Sequence, residues 1–239
     1  MVNKKNILKS CEDCPSKGLG IFCELEKAAL DRVSEQKVSN VFKKGQTLFV
    51  EGTPPYGLYC VSEGNVKVTK LGENGKESMV RIAKSGDVIG HRSIFTDQFY
   101  SATATAMEDT KICFIDKKFI LSLVKTEPSL ACNLIFKLGR DLGLSEDKVA
   151  SFTQKNVFER LAEVLLLLKE SHGKKLDDGK ILIELNLSRD ELASLVGTAT
   201  ETVIRFVSEL KEERVIAQDG KKIIILDEEK LLSFSNTSY

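Results

Sequence analysis

Histidine is nearly absent from this 239-residue chain: His91 and His172 stand alone, too far apart in sequence to suggest a metal-binding pair. Net charge is absent too. Thirty-five Lys+Arg balance 35 Asp+Glu, so bulk electrostatics announce no nucleic-acid partner. No apolar run approaches the ~20 residues that span a bilayer; the longest candidate, Val164 to Leu168, reads as the core face of a helix. The start, Met1-Val2-Asn3-Lys4-Lys5, carries two lysines with no apolar stretch behind them, which argues against a signal peptide. A cytoplasmic location without membrane contact is expected, and cysteines there are reduced thiols or metal ligands. Enzyme signatures are missing: there is no GxxxxGK followed by Ser or Thr, and no GxSxG. Gly18-x-Gly20 leads to Cys23 instead of a third glycine and follows no strand. A thiol oxidoreductase built on Cys11-x2-Cys14 would want a βαβ context that is not there. The chain is read as a non-enzyme.

What is present is an ordinary globular balance, 42% hydrophobic and 29% charged, with length for two modest domains. Residues 1–24 form a cysteine-bearing arm, and a short helix is predicted from roughly Glu24 to Ser34. From Val38 to Ile115 β-rich runs alternate with glycine turns: Thr47–Val50, Gly57–Val61, Val66–Leu71, Ser78–Ile82, Ser101–Ala106 and Lys111–Ile115. Asn74-Gly75 is a strong hairpin signal, since both centres of a type I′ turn need positive φ. The spacing predicts an antiparallel barrel or roll, filling a sensory domain over 25–126.

The period turns helical from Lys117. Pro128 suits a helix N1 position, and the pattern runs to Gln154, a segment 127–154. Leu134, Leu138, Leu142, Ser145, Val149 and Phe152 fall at a/d spacing, with Ile135 beside them. Gly139 and Gly143 would each weaken a lone helix by ~1 kcal/mol and make sense if another backbone approaches. A parallel homodimer helix is one reading; a helix packed on its own roll is the other.

Residues 155–239 carry the most specific pattern. A helix over about Val157–Ser171 and a polar loop over 172–180 lead to a strand, Ile181–Leu185. Ser188-Arg189-Asp190-Glu191 fits a capping box, Gly197 supplies a left-handed stop, and Thr198-Ala199-Thr200-Glu201 is a second box. Two short capped helices around a glycine turn predict a helix-turn-helix, and Asp219-Gly220 turns a wing between Val215–Ala217 and Lys222–Leu226. In that arrangement Thr200, Glu201, Ile204 and Arg205 face the major groove. Arg205 can donate to guanine and Glu201 accept from cytosine. Ser188, Thr198, Thr202 and the basic Arg189 and Lys221 suit phosphates. The bland alternative is the solvated face of an amphipathic helix. Against a nucleic-acid partner stands the segment's charge: 13 Lys+Arg and 16 Asp+Glu, a net of −3.

Over nearly its whole length the chain resembles the Crp/Fnr family of bacterial regulators. The resemblance is carried by Gly64-Asn65-Val66-Lys67-Val68, Ser85-Gly86-Asp87-Val88-Ile89-Gly90, the run from Asn156 to Leu161, and Leu187 to Arg205. It implies an α+β fold: a cyclic-nucleotide-binding-like antiparallel β-roll, a long dimerisation helix and a C-terminal winged helix-turn-helix. It also implies a homodimer that binds a double-stranded palindrome and contacts RNA polymerase, with Glu201 and Arg205 reading GA-containing half-sites. Thr200 stands where relatives carry Arg or Val, which leaves the outer bases open.

Cyclic-nucleotide members place a Glu after the glycine matching Gly90, then an Arg-Ser pair. Here His91 takes the Glu position and Tyr100 precedes Ser101, with Arg92 able to help only from a different geometry. A phosphate would lose its guanidinium fork, so a cyclic nucleotide is not the expected effector. The oxygen-sensing branch holds a cluster on three arm cysteines and one from the roll. By that resemblance Cys11, Cys14, Cys23 and Cys113 would ligate a [4Fe–4S] cluster, although eight residues separate Cys14 from Cys23 where that branch has five. Zinc or redox thiols remain alternatives. Cys60 and Cys132 read as packing cysteines. The branch's seam carries an Asp that opposes pairing; Ser145 aligns with it.

Overall fold

The computed structural model describes residues 10–73 and 75–236. The chain forms two compact units, dividing between Gly143 and Leu144. The first holds α1 (Lys27–Gln36), β1 (Val38–Phe42), β2 (Thr47–Phe49), β3 (Gly57–Glu63), β4 (Val66–Leu71), β5 (Glu77–Ala83) and β6 (Val88–Ile89). It continues with α2 (His91–Thr96), β7 (Thr103–Ala106), β8 (Thr110–Asp116), α3 (Lys117–Thr126) and the start of α4 (Pro128–Gln154). Two antiparallel four-stranded sheets, ordered β1-β8-β3-β6 and β2-β7-β4-β5, make the expected roll. Its interior is Val61, Val66, Val68, Ile89, Ala104 and Ile112. Each large side chain so buried contributes about 1.5–3 kcal/mol. The β4–β5 hairpin forms, with Leu71 opposite Glu77 and Gly75 at φ 75°; Asn74, like Met1–Lys5, lies outside the described residues.

A second core lies on the outer face of the β1-β8-β3-β6 sheet. Ile21, Leu25, Ala29 and Val33, from the arm and α1, pack with Leu58, Val88, Ile115, Ile120, Leu123, Leu130 and Leu134. The arm is therefore seated on the roll. Gly86, at φ 93°, permits it: a Cβ there would stand 2.7 Å from the Leu19 Cβ. Asn133 Nδ2 donates to the Ile21 carbonyl at 3.1 Å, tying the arm to α4.

The seam expected on α4 needs a correction at its first member. Leu134 is buried in this core, 3% exposed, while Ile135 is 66% exposed. Exposed apolar residues on α4 are Ile135, Phe136, Leu142, Leu144, Val149 and Phe152; of these Ile135, Leu142 and Val149 stand seven apart, with Leu138, Ser145 and Phe152 at the intervening d-type positions. Two adjacent stripes meet the same spacing, and the roll claims the one containing Leu130 and Leu134. A Cβ at Gly139 or Gly143 would meet nothing within 4 Å.

The second unit carries the rest of α4, α5 (Val157–His172), β9 (Gly173–Lys175), β10 (Ile181–Ile183), α6 (Arg189–Val196), α7 (Thr200–Glu212), β11 (Ile216–Asp219), β12 (Lys222–Ile225) and α8 (Glu228–Ser235). Its sheet runs β11-β12-β10-β9. Leu161, Leu165, Ile183, Leu192, Val203, Leu210 and Leu231 fill the core. Among the described residues no single helix is long and apolar enough to cross a membrane.

Candidate nucleic-acid interface and cysteine cavity

Helices α6 and α7 form the helix-turn-helix. Ser188 Oγ accepts from Glu191 N at 3.1 Å, and Glu191 Oε2 accepts from Ser188 N at 3.0 Å, so the first capping box forms as read. Such a cap stabilises by about 1 kcal/mol. Gly197 adopts φ 72°, ψ 51°. The second box does not form. Both Gly197 N and Thr198 N donate to the Ala193 carbonyl, which keeps Thr198 inside the turn. The N-cap becomes Ala199, without a side-chain cap, and α7 starts one residue late. Thr200 Oγ1 instead donates to Asp190 Oδ1 at 2.7 Å, pinning the start of α7 to α6.

On α7, Val203, Val207 and Leu210 are buried, while Glu201, Ile204 and Arg205 are exposed and Thr202 is half-buried. Ile204 is an exposed apolar side chain beside Arg205, of a kind that can pack on a thymine methyl. Arg205 holds its guanidinium 4.8 Å from the Phe206 ring centre, which pre-orders the fork. Arg189 departs from the free phosphate contact expected of it: its Nη2 donates to Gln218 Oε1 at 2.6 Å, bracing α6 against the wing. Lys221 is exposed at the wing tip.

Two further residues shape this turn, and nothing in the sequence links either of them to it. Arg160 donates from Nε to the Val196 carbonyl at 3.0 Å and from Nη2 to the Gly197 carbonyl at 3.4 Å. The Phe152 ring, 43% exposed, lies under the same guanidinium at 5.1 Å and against Gly197, where an added Cβ would stand 2.3 Å from it. Phe152 thus serves the reading turn as well as the outward face of α4.

In the first unit, the residues at the positions expected to meet a cyclic phosphate are engaged with the roll and α4. Gly90 turns at φ 84°. Tyr100 is buried, donates to the Gly57 carbonyl at 2.8 Å and stacks on Phe49 at 4.0 Å. Burial pushes its hydroxyl up to about 12. His91 is buried and its Nε2 lies 3.1 Å from Asp141 Oδ2. Arg81 and Lys137 also bond that carboxylate, at 3.0 and 2.6 Å. Arg92 points to solvent and Ser101 is half-buried.

The cysteines meet elsewhere, under the arm. Cys11, Cys14, Cys60 and Cys113 line one partly open cavity of about 60 Å³. Cys23 is exposed and is not among the lining residues, and Cys132 is exposed on α4. Cys60 and Cys113 are direct partners in the β3–β8 ladder. The Cys14 sulfur lies 3.3 Å from Ser16 Oγ and 3.4 Å from Ser62 Oγ, and Ser39 Oγ lies 3.3 Å from the Cys113 sulfur. Burial raises the Cys14 thiol, yet the Ser16 and Ser62 hydroxyls outweigh it and hold the thiol below its ordinary value. Burial pushes Cys60 well up and Cys113 up. Among the described residues no three Cys, His or carboxylate side chains are grouped to hold a single metal ion. Four thiols around one cavity are a donor set that fits an iron–sulfur cluster, and tetrahedral zinc draws on the same kind of set.

Comparison with known proteins agrees with the architecture. The cyclic nucleotide-binding domain family matches residues 39–127, and the Crp-like helix-turn-helix domain family matches residues 159–234. The chain is 28% identical over 212 residues to the CRP-like cAMP-activated global transcriptional regulator of Mycobacterium tuberculosis, covering 89% of this chain and 94% of that protein. It is 26% identical over 231 residues to the fumarate and nitrate reduction regulatory protein of Vibrio cholerae, covering 95% and 91%. The structure of FixK2 from Bradyrhizobium japonicum superposes with a TM-score of 0.76 at 21% identity over 85% of this chain and 99% of that one, a likeness of fold. With its roll, its long helix and its winged reading head accounted for, the chain belongs to the Crp/Fnr family of DNA-binding transcription regulators and is not an enzyme.

Proposed function

We propose that this regulator works in the cytoplasm as a homodimer, reads a palindrome with GA-containing half-sites, signals to RNA polymerase, and senses oxygen, nitric oxide or redox state through an iron–sulfur cluster beneath its N-terminal arm. The DNA reading is carried by one observation: Glu201, Ile204 and Arg205 stand exposed on the first turns of α7, behind a turn gripped by Arg160. Pairing is supported by the outward heptad of Ile135, Leu142 and Val149, and by the open space beside Gly139 and Gly143.

For the signal, the engagement of Tyr100 with the roll and the absent guanidinium argue against a cyclic nucleotide. The cysteine cavity argues for a cluster with Cys11, Cys14 and Cys113 among its ligands. When bound, the cluster supplies an oxidant-sensitive centre at the junction of arm and roll. The chain's own contacts give that junction a route to α4. Asn133 on α4 holds the arm at Ile21, and Asp141 ties α4 to Arg81 on β5 and His91 on α2. A change in how the arm is seated therefore bears directly on the helix that sets the spacing of the reading heads.

The test is a gel shift with a palindrome of GA-containing half-sites. Arg205→Ala removes a bidentate base contact worth about 1–3 kcal/mol per site. Binding should fall tenfold or more, with an unchanged melting curve. Unaltered affinity would show that α7 is not the reading helix.

A further inference from the structure

The four cysteines on the cavity wall are not the four that the family's spacing suggests. Cys60 comes from the middle of the roll, opposite Cys113 in the β3–β8 ladder, and both face the cavity that Cys11 and Cys14 close from the arm. Cys23 lies on the exposed side of the arm, outside the lining. A second, independent observation concerns charge. Lys37, between α1 and β1, is 9% exposed, and its Nζ is buried with no hydrogen-bond partner among the described residues. It lies close enough to act electrostatically on Cys14, Cys60 and Cys113. A buried amino group without a partner is costly. It is accounted for if an anion occupies the neighbouring space, and an iron–sulfur core with four thiolates is anionic.

We infer that Cys60, not Cys23, is the fourth thiolate of the cluster site, and that Lys37 is the buried counter-charge of the bound cluster. The assignment rests on the cluster reading above and sharpens it. The ligand set becomes two cysteines from the arm and a facing pair from the sheet, so the cluster would bridge the arm to the roll and rest against the sheet itself. The hydroxyls of Ser16, Ser62 and Ser39 stand beside two of the ligand sulfurs, where they can tune the cluster's potential. The positive charge of Lys37 favours the more negative, reduced form and so holds the potential up.

The experiment is anaerobic reconstitution of the full-length chain with iron and sulfide, for the wild type, Cys23→Ser, Cys60→Ser, Cys60→Ala and Lys37→Met. Iron and acid-labile sulfide per chain, visible absorption and the midpoint potential are read, with a melting curve of each apo-protein as the check on folding. Cys23→Ser should load as the wild type does. Both Cys60 variants should lose most of their iron and sulfide while melting as folded proteins; the Ala variant guards against a folding defect from a buried hydroxyl. Lys37→Met should load with a lower midpoint potential. A wild type that takes up neither iron nor sulfide would overturn the cluster reading and this inference with it. A wild type that loads, with loss in Cys23→Ser or retention in the Cys60 variants, would overturn the ligand assignment alone. An unmoved potential in Lys37→Met would overturn the role given to Lys37.

Discussion

Asp141 holds Arg81, His91 and Lys137 on its two oxygens. Burial alone would raise its pKa, but the His91 bond, the Arg81 charge and Lys137 outweigh that and hold it far below the usual carboxylate range. A carboxylate depressed in the folded state stabilises above its unfolded value, ~3.9, and that contribution is lost as pH falls through the folded value. Asp141→Asn should therefore lower the unfolding free energy from urea titration at pH 7, by about 1.5–3 kcal/mol for hydrogen bonds to a charged group. The gap to wild type should close as the pH is taken below 4. A gap that stays constant with pH would mean the charge at 141 contributes nothing. This network was not legible in the sequence, because its members lie on β5, α2 and α4 and meet only after the roll closes. Cys60 is a similar case. Sequence reasoning collects cysteines by local spacing, and only the β3–β8 register places Cys60 opposite Cys113.

Among the elements, those with a strong local signal were the most legible. The Ser188 box, the Gly197 stop and the wing turn at Gly220 each rest on chemistry within a few residues, and each forms. Thr198 does not cap α7: its amide donates to the Ala193 carbonyl as α6 ends, and α7 starts behind Ala199. The first helix starts at Lys27, three residues beyond the expected Glu24, with no side-chain cap to mark the place. The polar stretch after His172 hides β9, whose residues are all exposed and so show no alternation. On α4 the expected stripe and the observed burial part at Leu134, since spacing cannot say which of two apolar stripes the roll will take. The outward stripe gives the prediction for this element. Val149→Glu or Leu142→Glu puts a charge at the centre of the a positions and should convert a dimer to monomer in sedimentation, with the melting transition of each unit kept. A variant that still sediments as a dimer would place the pairing surface elsewhere.

At the scale of the whole molecule, charge sets the terms on which DNA is found. The segment 155–239 is net −3, so attraction to the duplex comes from local cations such as Arg205, Arg214 and Lys221. Few phosphate contacts mean a shallow dependence of affinity on salt, since the slope is about −0.9 per phosphate neutralised on duplex DNA. Random-sequence DNA should be bound weakly at all salt concentrations. Affinity for the palindrome, measured from 50 to 200 mM KCl, should fall much less than the ~10³–10⁵-fold typical of six to ten contacts. Lys221→Ala should flatten the slope by about one for each wing that touches a phosphate. A steep slope would mean that more of the basic residues engage the backbone than the exposed set suggests.

The place where Leu19 rests over Gly86 carries a consequence of its own. A single methyl at position 86 would collide with Leu19 and also meet an unfavourable positive φ. The β-sandwich of sheets does not need the arm to close, so Gly86→Ala should keep its sheets yet shed the N-terminal strap. Brief trypsin digestion would then clip at Lys17 or Lys27 well before the body of the protein is touched. Whatever ligand sits under that strap would be released by a change that touches none of its cysteines.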